Sequence, residues 1–517
     1  MKKLKLVCVA IAMACAAPSF AGGLLTNTNQ HVAFNRMMSR EASIGIDGVY
    51  YNPAGVVFMG DGHHLAINWQ LAYQTRTINN DYKLFTNNVN NPITPRDFKG
   101  KAFAPVIPSF QYAYNKGKWS FQANFALTGG GGKCTFDDGL GSFEKIVSET
   151  AIAACQLAGA VDQVAGAYNV PGIFSSNQCF GTEGKYSYNS YMHGRQYYYG
   201  LSAGAAYKFS DNFSAFLGVR GVYALTNYYG YVENIQVGQM PLYKVLNPAK
   251  ESSANIELSC DQSGVGFTPI IGVDYKTGRW NFSAKYEFKT RIRLKNKSVN
   301  QIPSIGNLPD NLRNAYIANG VPEAAADAIL SNQKIQGAMV ALKTQFDSKI
   351  DGAIGEYEDG KKIAGDIPAY LALGVGYSPV DAVRVNVGFH WFDDKNATSY
   401  NNRNKELKRG TLEYNAGVEV DVNKKITLST GWQNTNYGLS DEYMDDKSFV
   451  VSSNSVAIGG VYHINKKMDL NVAYFHTFYQ HKKTSEKVQL TAEKSINYSS
   501  DYTRNNNVFA VGLDINF

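Results

Sequence analysis

Long apolar runs are almost absent from this chain of 517 residues. The longest extends from Leu6 to Ala17, and no other stretch approaches the ~20 consecutive apolar residues that a membrane-spanning helix requires. An excess of one charge is also lacking, because the formal net charge is only +7 and no basic cluster of the kind that binds nucleic acid stands out. The sequence therefore argues against a helical membrane protein and against a nucleic-acid partner.

Cysteine is rare as well, with six in the whole chain. Two of the six lie in the N-terminal apolar run, and the others show no CxxC spacing of the kind that marks a metal or redox site. In an oxidising compartment the remaining four predict one or two disulfides, and three full pairings stay open. These four are Cys134, Cys155, Cys179 and Cys260. We expect no metal and no cofactor.

The N-terminal apolar run has the features of a secretory signal. Three lysines precede it, and Ser19-Phe20-Ala21 places small residues at the two positions that signal peptidase reads. We therefore predict that residues 1–21 are removed before Gly22 and that the protein is exported. A lipoprotein site at Cys15 is the disfavoured alternative, because Ala12 stands where a branched apolar residue is usual.

Aromatic residues and glycine are abundant, with 34 Tyr, 27 Phe and 48 Gly, although the mean hydropathy is only −0.27. This combination is typical of an outer-membrane β-barrel, in which aromatic girdles flank an apolar band around a polar lumen. The end of the chain has the matching alternation. Its apolar face consists of Phe509, Val511, Leu513, Ile515 and Phe517.

The same alternation, bounded by turn residues, predicts fourteen strands, from Leu65–Tyr73 to the terminal strand. Connections after even-numbered strands are short turns, whereas those after odd-numbered strands are long, and 129–190 and 298–362 are the longest. This layout is that of an outer-membrane barrel with both ends of the barrel periplasmic. We therefore predict an all-β fold, a 14-stranded antiparallel transmembrane β-barrel that comprises residues 63–517.

The seventh predicted strand illustrates how the two faces divide. Its apolar face runs from Trp280 to Phe288, and we expect the opposite face to line the lumen. The predicted lumen face consists of Asn281, Ser283, Lys285, Glu287, Lys289, Arg291 and Arg293.

A barrel of fourteen strands encloses a lumen too wide for its own side chains to fill. Residues 22–62 are rich in apolar side chains without strand alternation, and we predict that they form a helical hatch inside the barrel. Asn52-Pro53-Ala54 resembles a helix start, with Asn52 as N-cap and Pro53 at the first helical position. Helical insertions are also predicted in the two longest outer loops, over Phe143–Tyr168 and Pro322–Ile350.

Gly22-Gly23-Leu24-Leu25, the segment Ser43–Gly55 that contains Asn52-Pro53-Ala54, and the fourteen strands together resemble the FadL/TodX family of outer-membrane transporters for long-chain fatty acids and other hydrophobic compounds. The resemblance covers essentially the whole mature chain. It implies passive, ligand-gated diffusion, with capture among the outer loops, an apolar pocket above the hatch and lateral exit near strand three.

Candidate site residues follow in part from the resemblance, but no residue clearly matches the family's anchors for a ligand carboxylate, and the two arginines below are candidates because they lie on inward faces of strands five and nine. Ligand-binding candidates are Leu24, Leu25, Phe34, Arg220 and Arg384, and the hatch motif is Asn52, Pro53 and Ala54. An inward arginine in a barrel also belongs commonly to an ion-pair network, so that alternative stays open for both arginines. Gly129, Gly130, Gly131 and Gly132 are the candidate kink of a lateral portal, or else the start of a flexible loop.

The expected partners are a hydrophobic small molecule, outer-membrane lipid and the barrel assembly machinery, which would recognise Phe517. We expect a monomer in the outer membrane of a Gram-negative bacterium. The alternative functions are a general or aromatic-hydrocarbon-selective porin, a barrel enzyme and an adhesin. His390, Asp393 and Asp394, or His63-His64, would serve an enzyme, but no Ser-His-Asp arrangement follows from their spacing, so we expect no catalysis.

Overall fold

The computed structural model describes residues 25–26, 29–304, 306–337, 339–340, 355–490 and 494–517. Fourteen antiparallel strands close into one barrel, in which the last strand pairs with the first from His64↔Asn516 to Tyr82↔Tyr498. The predicted fold class is therefore confirmed. The predicted signal peptide, residues 1–21, and the candidate Leu24 lie outside the described residues.

The barrel strands are β1 Gly62–Tyr82, β2 Arg96–Lys116, β3 Trp119–Phe136, β4 Tyr186–Lys208, β5 Phe213–Val237, β6 Ile256–Thr277, β7 Trp280–Glu287, β8 Tyr370–Val380, β9 Val383–Phe392, β10 Thr411–Asn423, β11 Ile426–Asn436, β12 Ser453–Asn465, β13 Met468–Tyr479 and β14 Ser495–Asn516. Shorter strands extend the wall: Arg293–Gln301 continues β7, Lys362–Ala364 precedes β8 and Lys482–Gln489 continues β13. Short turns join the strands at one end of the barrel, the turn end, and long connections join them at the other, the loop end.

The two faces of each strand differ in exposure as the alternation predicts. On β14, Phe509 and Val511 are 53% and 38% exposed, whereas Val508 and Ala510 are each 1% exposed. The outward face of the barrel is thus an apolar band, and the inward face packs against the hatch. The backbone of Phe517 also pairs with His63, which places the end of the chain beside the start of β1.

The inward and outward faces exchange where β7 is interrupted. Lys285 and Glu287 face the lumen and are 3% and 2% exposed, yet the next fully buried side chains are Thr290 and Ile292. One additional residue therefore separates the two inward sets, and Phe288 at the break is 43% exposed. An inserted residue reverses the faces of everything that follows it in a strand.

The prediction that Lys289, Arg291 and Arg293 line the lumen is consequently wrong. Arg291 and Arg293 are exposed on the outer surface, and the side chain of Lys289, at the break, is 32% exposed. The prediction assumed unbroken alternation, which the additional residue after Glu287 ends.

The hatch inside the barrel contains two short helices, α1 Val32–Met37 and α2 Gly48–Tyr51, followed by a 3-10 turn at Gly55–Phe58. Asn52 is the C-cap of α2, so the prediction that it is the N-cap of a helix starting at Pro53 is wrong. Its side chain accepts a hydrogen bond from Gly55 N at 3.2 Å, but the N-cap of the 3-10 turn is Ala54.

Glycines in the barrel wall let the hatch approach the strands closely. A Cβ added at Gly417 on β10 or at Gly431 on β11 would overlap the carbonyl oxygen of Met37, the last residue of α1. The hatch backbone therefore lies directly against the wall at this point, where only glycine leaves room for it.

The long connections carry helices α3 Gly141–Ala167, α4 Tyr243–Leu246, α5 Leu308–Ala318 and α6 Glu323–Leu330. They pack into one apolar core at the loop end, to which α3 contributes Val147, Ala151 and Val161. No helix in the described part of the chain is both long and apolar enough to cross a membrane. In the second predicted insertion, residues 341–354 lie outside the described ranges.

The four cysteines beyond the predicted signal are buried free thiols, so the predicted disulfides are not formed in the structure. Cys134 lies on β3 and Cys260 on β6, in separate parts of the wall. Cys155 on α3 lies near Cys179, but its Sγ contacts the carbonyl oxygen of Phe180 at 3.4 Å.

The close approach at Gly431 gives a first prediction. Gly431→Val should displace α1 and raise the ion conductance of the purified protein in planar bilayers, because the added side chain overlaps the Met37 carbonyl. Gly221→Val is the matched control, since its Cβ would meet Phe267 only at 3.7 Å. Equal conductance in the two variants would contradict the tight docking of the hatch.

Candidate functional site

Two arginines of the hatch bind one carboxylate of the wall. Arg36 Nη1 pairs with Glu419 Oε1 and also donates to Ser429 Oγ at 3.0 Å. Arg40 Nη1 pairs with Glu419 Oε2 at 3.2 Å, and Arg40 Nε pairs with Asp47 Oδ2 of the hatch at 2.7 Å. Glu419 on β10 therefore fixes the hatch to the wall near the turn end.

A second ionic contact involves His390, one of the residues considered for catalysis. Its ring is fully buried, with Nε2 2.7 Å from Glu41 of the hatch and Nδ1 2.9 Å from Glu413 on β10. His390 thus joins two carboxylates that belong to different parts of the fold. Asp394 forms a separate contact, in which its Oδ2 accepts from the backbone of Thr411 at 3.0 Å. The arrangement is that of a structural link between hatch and wall.

Arg220, a predicted ligand anchor, lies in the lumen beside the hatch. Its guanidinium binds both oxygens of Glu287, at 2.6 and 2.9 Å, and donates to Ser202 Oγ at 3.1 Å. Lys285 binds the same carboxylate at 2.9 Å, and its ammonium lies 4.0 Å from the centre of the Tyr50 ring in the hatch. Arg220 and Lys285 thus share the carboxylate of Glu287, and both cations lie over the ring of Tyr50.

Arg384, the other predicted anchor, lies at the turn end, just after the turn that joins β8 to β9. Its guanidinium binds both oxygens of Asp421, at 2.7 and 2.6 Å, and approaches Glu419 at 3.4 Å. The structure thus places Arg384 far along the barrel from the loops, while Arg220 lies closer to them. It does not bring the two predicted anchors together.

The described N-terminal residue Leu25 lies in an apolar cluster inside the barrel, on the loop side of Arg220. Leu25 is 3% exposed, and it packs among inward residues of β4, β5, β8, β9 and the continuation of β7. The wall residues of this lumen cluster are Tyr198, Val222, Ala224, Ile292, Leu294, Ile363, Ile367, Tyr370, Ala372 and Phe392. Arg220, Val222 and Ala224 share one face of β5, so the charged group forms the floor of the cluster.

Phe34, also a predicted ligand residue, belongs to the interior of the hatch. It is fully buried and stacks on Tyr51, with ring centroids 5.4 Å apart and an interplanar angle of 7°. The structure therefore separates Phe34 from Leu25, which lies in a different apolar cluster.

The hydrogen-bonded ladder between β2 and β3 is interrupted beside Gly129–Gly132, the glycine run. Pairing stops at Ser109↔Ala126 and resumes at Ala102↔Cys134. The unpaired part of β2 contains Pro105, which has no N–H to donate to a neighbouring strand. Pro108, next to the last paired residue, has the same restriction. These prolines are a sequence signal for a wall interruption that the strand pattern alone did not provide.

On the β3 side of the interruption, the glycine run makes the strand irregular. Pairing of β3 with β4 shifts register between Leu127 and Gly129 and again between Gly130 and Gly132. Gly130 and Gly132 have φ of +93° and +78°, values that other residues rarely adopt. The third strand therefore continues to Phe136 through two bulges instead of ending at the glycines.

A second apolar site lies at the loop end, in a narrow cleft with a cavity volume of about 30 Å³. It is lined by residues of α3, β4, β5 and β6, among them Phe143, Met192, Tyr231 and Leu258. Lys447 also borders the cleft, whose lining is almost entirely apolar. The cleft thus has the composition of a small binding site for an apolar group.

Charged groups surround this cleft. Lys447 lies 3.9 Å from Asp445, and Asp445 also binds Arg403 at 3.2 Å. Burial raises the pKa of the nearby Glu356 carboxyl to about 8, so that this group carries its proton at neutral pH for most of the time. The cations beside the cleft are therefore opposed by fewer carboxylate charges than the sequence suggests.

No protein-family model and no curated protein matches the chain, but solved structures do. A FadL homologue of Pseudomonas aeruginosa aligns with 96% of this chain and 100% of its own, at 14% identity and a TM-score of 0.60. A deltaS2 mutant of the monoaromatic hydrocarbon channel TodX aligns with 95% and 100%, at 15% identity and a TM-score of 0.52. The toluene transporter TbuX of Ralstonia pickettii aligns with 96% and 99%, at 13% identity and a TM-score of 0.50.

The chain has the FadL/TodX fold. The family resemblance predicted from the N-terminal segment and the strand count is thus confirmed at the level of fold. These alignments include almost the whole of each neighbour and at least 95% of this chain. At identities of 15% and below, they show the fold alone.

The ionic contacts of the hatch in this FadL/TodX barrel lead to a second prediction. Glu419→Gln removes the carboxylate of Arg36, whereas Arg40 keeps Asp47. Loss of one partner of a buried pair costs about 3 kcal/mol, so amide hydrogen exchange in residues 29–61 should accelerate on the order of 100-fold. Glu358→Gln, at a carboxylate that is 70% exposed, is the control. Unchanged protection in Glu419→Gln would show that the hatch is held by other contacts.

Proposed function

We propose that the protein is an outer-membrane transporter that moves long-chain fatty acids or related hydrophobic compounds by passive, ligand-gated diffusion. The observation that carries the proposal is the position of the β2–β3 interruption in the wall of a barrel whose lumen is closed by a hatch. A solute that enters from the loop end has the hatch below it and an incomplete ladder beside it.

Capture at the loop end is supported by the apolar cleft between α3 and the extended strands. A long alkyl chain gains ~0.8 kcal/mol for each methylene that it buries, so an apolar lining at the loop end would favour the transfer of such a chain out of water.

The lumen cluster around Leu25 is the proposed second station. A ligand would replace Leu25 among the wall residues, because that apolar side chain is the part of the cluster that does not come from a strand or its flanking segment. Arg220 and Lys285 at the floor of the cluster are bound to Glu287, and a ligand carboxylate would compete with Glu287 for them. Phe34 would stabilise the hatch by packing inside it. Arg384 would stabilise the turn end through its ion pair with Asp421.

Exit is proposed through the wall at the interruption, between Phe103–Pro108 of β2 and the glycine run of β3. Backbone groups without a partner are costly inside a membrane, so a wall that leaves them unpaired on this segment implies a use for the gap. A lateral exit would also spare an apolar solute the passage through the charged hatch.

A general porin is the first rival. The buried ionic contacts of Arg36, Arg40 and Glu41 hold the hatch across the lumen, which argues against a permanently open aqueous pore. An enzyme is less well supported, because both ring nitrogens of His390 are engaged by carboxylates of the hatch and wall. Two of the solved structures that share the fold are named as a monoaromatic hydrocarbon channel and a toluene transporter.

A third prediction tests the lumen station. Ala224→Trp fills the cluster beside Leu25, since Ala224 is fully buried there, and we expect it to reduce uptake of a radiolabelled long-chain fatty acid at least several-fold. Leu225→Trp is the matched control, because Leu225 is the next residue of β5, faces outward and is 36% exposed. Equal uptake by the two variants, at equal amounts of folded protein, would exclude the cluster from the path.

A fourth prediction tests the exit. A Cβ at Gly132 would lie 3.6 Å from the Cβ of Ala104, within the ~3.5–4.5 Å range of a disulfide. In a Cys134→Ala background, Ala104→Cys with Gly132→Cys should lose uptake when oxidised and recover it in dithiothreitol, because the crosslink joins β2 to β3 across the gap.

The control for this crosslink joins the same strands where the ladder is intact. Tyr112→Cys with Ala123→Cys places cysteines at directly opposite positions of β2 and β3, and its oxidation should leave uptake unchanged. Uptake that persists in the oxidised Ala104–Gly132 pair would refute the lateral exit while leaving transport itself intact.

A further inference from the structure

The reversal of faces after β7 places a row of cations on the outside of the barrel. The continuation of β7, Arg293–Gln301, exposes alternate residues, and three of them, Arg293, Lys295 and Lys297, are basic. Arg291, just before this strand, is exposed on the same side. Alternate residues of one strand lie roughly 7 Å apart. The outer surface therefore carries four cations in a line, which we call the basic row.

The basic row lies immediately beyond the apolar band. Below it, the outward face of β7 shows Trp280, Phe282, Tyr286 and Phe288, and Tyr286 and Phe288 pack edge to face at 4.9 Å. Trp280 lies at the turn end, and a tilted strand crosses the apolar band of about 25 Å in roughly ten residues. The row begins at Arg291, and it thus starts at the height where the band ends, on the side of the long loops.

Neighbouring carboxylates neutralise only part of the basic row. Arg293 binds the buried Asp366 at 2.8 Å, and Lys297 lies opposite Asp261, whose Oδ1 accepts from Asn227. Within the described ranges, Arg291, Lys295 and Lys297 form no ion pair.

A further lysine increases the charge on this surface. Lys362, on the short strand before β8, is exposed and lies directly opposite Lys295 in the antiparallel register. Directly opposite residues share one face, and like charges there repel each other. An anion bound between the two lysines would remove this repulsion.

We propose that the basic row binds the phosphate groups of a phosphorylated glycolipid in the outer leaflet of the membrane. The row lies where the polar headgroups of that leaflet meet the barrel, and the aromatic residues of β7 below it would contact the acyl chains. Clustered lysine and arginine residues beside a membrane attract anionic lipid headgroups. The proposal rests on the location in an outer membrane and is independent of the transported solute.

The test measures binding of purified bisphosphorylated lipid A to the detergent-solubilised full chain by native mass spectrometry. The variant Arg291→Gln/Lys295→Gln/Lys297→Gln removes three cations and leaves the Arg293–Asp366 pair in place. We expect its affinity for the lipid to fall about tenfold or more. Retention of the heat-modifiable mobility of a folded barrel would verify that the variant has folded.

The matched control is Lys116→Gln/Lys424→Gln/Lys466→Gln, which removes three exposed lysines at the turn end and should bind lipid A as the unchanged chain does. Lipid A without its phosphates and phosphatidylglycerol should both bind more weakly than bisphosphorylated lipid A, and inorganic phosphate alone should not displace it. Equal binding by the two triple variants, equal binding of the dephosphorylated lipid, or displacement by inorganic phosphate would each overturn the proposal.

Fatty-acid uptake separates this proposal from the transport function. The triple variant of the basic row should retain uptake, because the row lies on the outer surface and away from the lumen cluster. The expected result for the triple variant is therefore loss of lipid A binding with normal uptake. If neither the unchanged chain nor any variant takes up fatty acid, the transport function is contradicted and the lipid A proposal is not.

Discussion

Fourteen strands enclose more space than their inward side chains can fill, and the rest of the structure follows from this constraint. The hatch fills the turn side of the lumen, but its short helices leave many backbone carbonyls without partners in their own segment. Side chains of the wall supply the donors: Gln122 to Pro53, Ser214 to Ala54 and Asn115 to Val56. Polar side chains in the lumen wall are thus required by the hatch, although the wall also packs apolar residues such as Phe216 and Ile270 against it.

The features that the sequence predicted are those that repeat along the chain. Strand number, the exposed face of β14 and the alternation of short and long connections each rest on many residues, so that single irregularities do not alter them. The position of α3 was close to the predicted Phe143–Tyr168, since a long alanine-rich segment leaves few alternatives.

The features that the sequence did not predict depend on single residues or on contacts across the barrel. One additional residue after Glu287 reverses the faces of the following strand, and no local pattern announces it. The partners of Arg220 and Arg384 come from neighbouring strands, so their ion pairs were visible only in the closed barrel. Asn52 ends α2 instead of starting a helix, and its side-chain amide donates to Asp274 of the wall, a contact that depends on how the hatch packs.

The most direct measurement of the central claim is uptake by cells whose own transporters for hydrophobic compounds have been deleted. Cells that carry this chain should accumulate a radiolabelled long-chain fatty acid or a monoaromatic hydrocarbon faster than cells with an empty vector, at equal amounts of folded barrel in the outer membrane. Identical uptake of both compounds by the two strains would contradict the account, because a hatch-closed barrel with an apolar lumen cluster would then have no transported solute.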